Sequence, residues 1–197
     1  MLSVPFFKQT TQLNCGPTAI RMALAYFGSE LPVERIEELV GIKNGRGVSS
    51  IKLAIAAAKA GQAVSFFSRH LTFNQGNQEH SFYQSYGDVS VEEFERLLDE
   101  AKRNKVQLVE RTMPLCELID LTQRGVPIVL VDWNIIKLKE GYQGHFIVFL
   151  GADETHVVVN NPGADDGAST RIERDLFDRA RVAKGTDEDI ILIKKVS

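Results

Sequence analysis

Gln9-Thr10-Thr11-Gln12-Leu13-Asn14-Cys15-Gly16-Pro17-Thr18 runs directly into an apolar stretch in which Ile20, Ala23, Leu24 and Phe27 recur at helical spacing. That spacing predicts a helix from about Cys15 to Phe27. Pro17 falls in a first turn, where a missing N–H costs nothing, and Gly28 is a natural stop. Cys15 then sits at the mouth of the helix, where backbone N–H groups and the helix dipole favour a thiolate. A thiolate is a far better nucleophile than a thiol, so the position points to covalent chemistry.

Downstream, Pro5 marks residues 2–8 as an edge strand or extended arm. Pro32 opens a second helix carrying Val33, Ile36, Leu39 and Val40. Residues 49–60 form a third helix ended by Gly61, and 62–67 read as a strand. The polar run Asn74-Gln75-Gly76-Asn77-Gln78 with isolated Tyr83 and Tyr86 predicts an exposed, mobile loop over 73–88, placed at the rim of a cleft. Ser90-Val91-Glu92-Glu93 is a capping box that opens a helix with Phe94, Leu97, Leu98 and Ala101 on one face. Val106–Glu110 is a strand, and 114–124 a helix in which Cys116 is expected to pack in the core. The last third is mostly strand, at 127–133, 145–150, 156–161 and 190–196, interrupted by a helix near 173–183. Helices first and an antiparallel sheet last is an α+β order, and the expectation is one domain over 1–197.

A net charge of −3 over 197 residues gives no basic footprint for nucleic acid. No apolar run reaches the length of a membrane span, and the N-terminus lacks a charged segment followed by an apolar one. Two cysteines make no disulfide framework, so the expected setting is reducing and cytoplasmic. The cysteines and the four histidines show no metal-ligand spacing, and no metal or cofactor is expected.

A cysteine nucleophile needs a base, and the base needs an orienting partner. His145–Leu150 and His156–Asn161 flank a five-residue turn, Gly151–Thr155. Paired as a symmetric hairpin, they set Leu150 opposite His156 and His145 opposite Asn161, within reach of an imidazole. A one-residue slip would select Asn160 or Pro162, because strand period is two. His70, His80 and His156 have no arranged partners.

Gln9-x5-Cys15-Gly16-Pro17, Gly144-His145-Phe146-Ile147-Val148 and Asn161-Pro162 together resemble the C39-like branch of papain-fold cysteine peptidases. The resemblance implies a glutamine, six residues before the cysteine, that helps form the oxyanion hole. It also implies a histidine that starts a strand and an aspartate before a proline, a place held here by Asn161. Family spacing favours Gln9 over Gln12 for the oxyanion role. Within that branch, Tyr142-Gln143-Gly144-His145-Phe146-Ile147-Val148, Asn160-Asn161-Pro162, Gly185-Thr186-Asp187-Glu188-Asp189-Ile190 and Val129–Trp133 resemble the guanylyl cyclase domain-containing family, whose plant members have been named guanylyl cyclases.

The expected architecture is a papain-like α+β fold, its N-terminal helices presenting the nucleophile against a C-terminal antiparallel sheet. The expected function is a cysteine peptidase or related thiol acyl-transferase acting on a peptide or protein, with Cys15, His145, Asn161 and Gln9 as its site and a preformed thiolate–imidazolium pair. Two alternatives stand beside it. One is a metal-dependent purine nucleotide cyclase, with carboxylates drawn from Asp132, Asp153, Asp165, Asp166, Asp187, Glu188 and Asp189. Gly45-Arg46-Gly47 is too short for a phosphate loop and lacks the Walker lysine. The other is a catalytically silent binding module.

Overall fold

The computed structural model describes residues 1–42, 45–74, 76–77 and 80–194. Gln75 and Gln78 of the polar run, and positions 195 and 196 of the last predicted strand, lie outside the described residues.

Three helices come first: α1 (Cys15–Tyr26), α2 (Val33–Val40) and α3 (Ser50–Lys59). Then follow β1 (Ala63–Ser68), α4 (Ser81–Tyr86), α5 (Val91–Arg103), β2 (Gln107–Glu110) and α6 (Leu115–Leu121). The last third holds β3 (Val126–Asp132), α7 (Trp133–Ile136), β4 (Gly144–Ala152), β5 (His156–Asn160), β6 (Thr170–Glu173), α8 (Arg174–Arg181) and β7 (Ile190–Lys194). The strands form one seven-stranded sheet in the order β2-β1-β7-β3-β4-β5-β6. The C-terminal strands are antiparallel, as expected. β1 and β2 extend the sheet from the middle of the chain, and the two pair in parallel.

The central strands are apolar on both faces because both are covered. Along β3, β4 and β7, residues Ile128, Val148, Ile191 and Ile193 pack against α1, α2, α3 and α5, whose Ile20, Leu24, Ile36, Leu53 and Leu97 fill that core. The alternating residues Val129, Ile147, Phe149 and Leu192 enter a second core with Leu118 of α6 and Phe177 of α8. This double covering explains the unbroken runs Val126–Asp132 and Ile190–Ile193.

The N-terminal arm is extended and tied to the sheet. Leu2 N–H donates to the Leu150 carbonyl at 2.8 Å, and Asn160 Nδ2 donates to the Val4 carbonyl at 3.0 Å. The predicted capping box opens α5 as expected, with Glu93 N–H donating to Ser90 Oγ at 3.2 Å. The Glu93 carboxylate also reaches Lys52 at 3.1 Å, and Asp88 reaches the same buried ammonium at 3.1 Å.

Two expectations are corrected. The segment 73–88 is not a bare loop. It contains α4, whose Phe82 ring packs on Tyr83 and Tyr86, while Phe82 and Tyr83 pack on Tyr142. Aromatic packing supplies what a six-residue helix lacks in propagation length. Cys116 is exposed, not in the core: α6 buries Leu118 and Leu121, and position 116 falls on the outer face.

Candidate active site

Cys15 is the first residue of α1 and is half buried. The loop before it is held by a residue that the sequence reading passed over. Asn14 is 2% exposed. Its Oδ1 accepts from Thr11 N–H at 3.1 Å, and its Nδ2 donates to Thr10 Oγ1 at 2.9 Å and to Glu37 Oε1 of α2 at 2.8 Å. Asn14 is thus the peg that fixes the turn leading into the helix, not a side-chain cap. Gly16 lets the helix start approach the sheet. A Cβ there would lie 2.6 Å from Leu53 Cδ1 and 3.2 Å from Phe146 Cδ2.

His145 is the second residue of β4 and is buried. Its Nε2 lies 2.8 Å from Asn161 Oδ1, which also accepts from Gly163 N–H at 2.9 Å. The pairing that brings them together differs from the symmetric hairpin. β4 runs on to Ala152, which shortens the turn, and a bulge at Leu150 absorbs one residue. Val148 therefore faces Asn160, and the register is displaced by two residues from the expectation. An even displacement keeps every side chain on its own face. Asn161 becomes the diagonal neighbour of His145, still within reach of its ring. Asn160 points the other way, bonded to the Val4 carbonyl and, through Oδ1, to Ser169 N–H at 3.0 Å.

The electrostatics depart from the expected ion pair. Burial pushes the Cys15 thiol above its ordinary value, and the amides of Phe146, Gly16 and Cys15 pull back toward the thiolate without overcoming it. Burial lowers His145 to about 4, while Asn161 acts upward and the Lys137 charge acts downward. The Trp133 ring lies 5.0 Å from the imidazole and contributes to that dry setting. Both shifts favour the neutral thiol and the neutral imidazole, so desolvation acts against the ion pair that the helix mouth favours.

Cys15 and His145 line one cleft of ≈ 1070 Å³, together with Gln9 and Gln12. Gln9 N–H donates to the Pro162 carbonyl at 2.9 Å, which ties the arm to the turn after Asn161. Its Nε2 donates to the Thr11 carbonyl at 2.7 Å, which engages one of two amide hydrogens within the loop. The opposite rim is α4 and the segment before α3, joined by Gly47 N–H to the Tyr86 carbonyl at 2.8 Å and Arg46 Nη1 to the Ser85 carbonyl at 2.9 Å. Sequence reasoning placed 73–88 at the rim but could not see its helix.

Of the other histidines, His156 Nδ1 lies 2.8 Å from Thr155 Oγ1, and the His80 ring packs 5.0 Å from that of Tyr142. His70 is exposed and lines the cleft.

Four of the carboxylates that a cyclase would need are engaged apart from one another, while Asp187 and Asp189 share the cleft. Asp132 accepts from Asn134 N–H at 3.0 Å and Gln143 N–H at 3.1 Å, and so fixes α7 and the approach to β4. Asp153 closes the β4–β5 turn and pairs with Arg171 at 2.6 Å. Asp165 pairs with Lys8, and Glu188 with Arg69. Among the described residues, no three His, Cys, Asp or Glu side chains converge in a way that could hold a metal ion.

Comparison with known proteins gives a family and a fold. The family model described as Guanylylate cyclase matches residues 4–193. Guanylyl cyclase 1 of Arabidopsis thaliana is 24% identical over 210 residues, covering 98% of this chain and 76% of that protein. A structure from Bacillus anthracis described as a C39-like peptidase aligns with a TM-score of 0.63 at 16% identity, over 99% of this chain and 96% of that one. A double-glycine-motif protease from an AMS/PCAT transporter, solved with a leader peptide, aligns with a TM-score of 0.56 at 18% identity, over 98% and 93%. The peptidase domain of Streptococcus ComA aligns with a TM-score of 0.55 at 14% identity, over 96% and 97%. The architecture is that of the C39-like, papain-fold peptidases.

Proposed function

The chain belongs to the guanylylate cyclase family, and we propose that it works as a papain-like cysteine hydrolase or acyl-transferase on a peptide or protein substrate. The observation that carries this reading is one constellation. A cysteine at a helix N-terminus shares a cleft with a buried histidine whose Nε2 is 2.8 Å from the Asn161 side chain. With Nε2 occupied by Asn161, Nδ1 is the ring nitrogen left for the thiol.

The reaction starts from the neutral pair. His145 Nδ1 takes the thiol proton as Cys15 Sγ attacks a carbonyl carbon, and the C–S bond forms as the carbonyl becomes an oxyanion. Cys15 N–H and the second amide hydrogen of Gln9 are the proposed donors to it; loss of one such donor elsewhere costs about 3 kcal/mol. The imidazolium then protonates the leaving amine as the C–N bond breaks. Water, deprotonated by His145, or an incoming amine releases the acyl group. Asn161 accepts from Nε2–H throughout and holds the ring. The Bacillus and transporter peptidases support the fold of this reading, and the bound leader peptide supports the substrate class. The proposed setting is cytoplasmic; among the described residues no helix is long and apolar enough to cross a membrane.

The test is acylation. An activated thioester or aryl ester should add one acyl group per chain, seen by intact mass and mapped to Cys15. Absence of the adduct in native protein, with Cys15 present and reduced, would reject the proposal. Acylation confined to Cys116 would do the same.

A further inference from the structure

The stretch from Gly185 to Asp189 has no part in the chemistry above, yet Gly185, Asp187 and Asp189 line the same cleft as Cys15. Asp187 and Glu188 both hold left-handed backbone, with φ of 48° and 54°. Two successive non-glycine residues in that region store strain, and surrounding bonds must hold them there. Asp187 Oδ1 accepts from Asn74 Nδ2 at 2.7 Å and Oδ2 from Asn77 Nδ2 at 2.7 Å. Asp189 N–H donates to the Thr186 carbonyl at 3.0 Å, and its own carbonyl accepts from Leu130 N–H of β3 at 3.1 Å.

What is left unpaired is informative. Asp189 Oδ1, Asn77 Oδ1 and Ser49 Oγ are each sealed from solvent with no hydrogen-bond partner, and all three residues line the cleft. Buried polar atoms are rarely orphaned, so a set of them on one wall asks for a ligand. Two are acceptors only, and the third can accept. Among the described residues neither Asp187 nor Asp189 forms an ion pair with lysine or arginine, and the neighbouring Arg69 is taken by Glu188. The field of this wall is negative. Beyond burial, the charges of Asp189, Asp187 and Asp132 hold the Tyr83 phenol up, and after Tyr83 itself those of Asp132 and Asp189 do so for Tyr142. Burial and the Asp187 charge also push the Asp189 carboxyl up to about 7, against the Ser50 and Ser68 hydroxyls, as for a carboxylate lacking its counter-ion.

We propose that the wall formed by Ser49, Asn77, Asp187 and Asp189 is a substrate subsite that takes a cationic group, an ammonium or guanidinium. As a specificity site it rests on the hydrolase reading, since it would draw basic peptides into the cleft that holds Cys15. The cation could be a Lys or Arg side chain or a free α-amine.

The experiment separates these sources, and it separates this proposal from the hydrolase reading. Binding to the wild-type protein is followed by calorimetry with benzamidine, N-acetyl-lysine amide (side-chain cation), leucine amide (α-amine cation) and the neutral isostere N-acetyl-norleucine amide. In parallel, a peptidyl epoxide reports on Cys15. At least one cation should bind ten-fold more tightly than the isostere, lose ten-fold in Asp189→Asn, and slow epoxide labelling of Cys15. The ligand that binds, acetyl-lysine amide or leucine amide, identifies the source. Failure of every cation to exceed the isostere in wild type overturns the subsite, whatever the variant does. So does unchanged cation affinity in folded Asp189→Asn. Cation binding with Cys15 inert to epoxide would retain the subsite and reject the hydrolase.

Discussion

Replacing Asn161 by alanine removes one oxygen with two duties. Asn161 Oδ1 serves His145 Nε2 at 2.8 Å and Gly163 N–H at 2.9 Å, and the residue is 4% exposed. Alanine leaves two donors without a partner, each costing about 1–3 kcal/mol. Gly163 is exposed enough to recover water, so the expected loss of stability is that of one buried donor, about 1–3 kcal/mol, or about 2–12 °C in Tm for a chain of this size. The imidazole also loses its fixed orientation, and inactivation by a peptidyl epoxide should slow by about 10- to 100-fold, equivalent to about 1.4–2.7 kcal/mol of barrier. The assay is the second-order inactivation rate across pH in a Cys116→Ser background, because Cys116 is exposed and would otherwise add a second signal. Asn161→Asp should keep the rate, since a carboxylate accepts the same bond. It should also move the acid limb upward, because His145 starts from about 4 and a negative neighbour favours its protonation. Asn160→Ala loosens the arm at Val4 and Ser169 and should change the rate less than three-fold. If Asn160→Ala slowed inactivation as much as Asn161→Ala, or if Asn161→Ala were silent, the orienting role would be refuted.

Three other outcomes follow from particular contacts. Gly16→Ala drives a methyl to 2.6 Å from Leu53 Cδ1, and overpacking of this kind should cost about 1–3 kcal/mol by chemical denaturation; an unchanged midpoint would mean that the helix start is not closely packed. Asp189 is raised in the folded state to about 7, so the native protein binds the extra proton between about 4 and 7 and loses stability as pH rises through that window. Asp189→Asn should therefore match wild type near pH 4 and exceed it at pH 8 by up to about 4 kcal/mol; equal stability at both would contradict the burial of that charge. Thiol-dependent turnover should survive EDTA, whereas cyclic GMP formation that requires Mg or Mn and persists in Cys15→Ala would place the family's name ahead of its fold.

Much of the site was legible because its signals are local. A cysteine after a polar run and before an amphipathic stretch fixes the helix mouth, and the run from Gly144 to Leu150 fixes a doubly covered strand. The His145–Asn161 meeting was anticipated on the right face through the wrong register. The turn length and the Leu150 bulge each shift the pairing, and their sum is even, so parity survived. A bulge leaves little trace in apolar periodicity, and the φ of +144° at Gly151 was its one local sign. What stayed hidden depends on tertiary context. The helix at 81–86 forms because Tyr142 and Gly185 receive its tyrosine. The peg at Asn14 depends on Glu37 of another helix, the exposure of Cys116 on which face of a short helix the sheet takes, and the upward shift of Cys15 and downward shift of His145 on burial.

The proposed hydrolase stands on Cys15, assisted by His145, acting as a nucleophile toward acyl groups. The most direct measurement is the rate at which an activity-based peptidyl probe labels Cys15, read by peptide mapping in wild type, His145→Ala and Cys15→Ala, all with Cys116→Ser. A single labelled peptide containing Cys15 is expected, lost in Cys15→Ala and slowed at least 100-fold in His145→Ala while the fold is retained. Labelling of Cys15 at the same rate with and without His145 would contradict it.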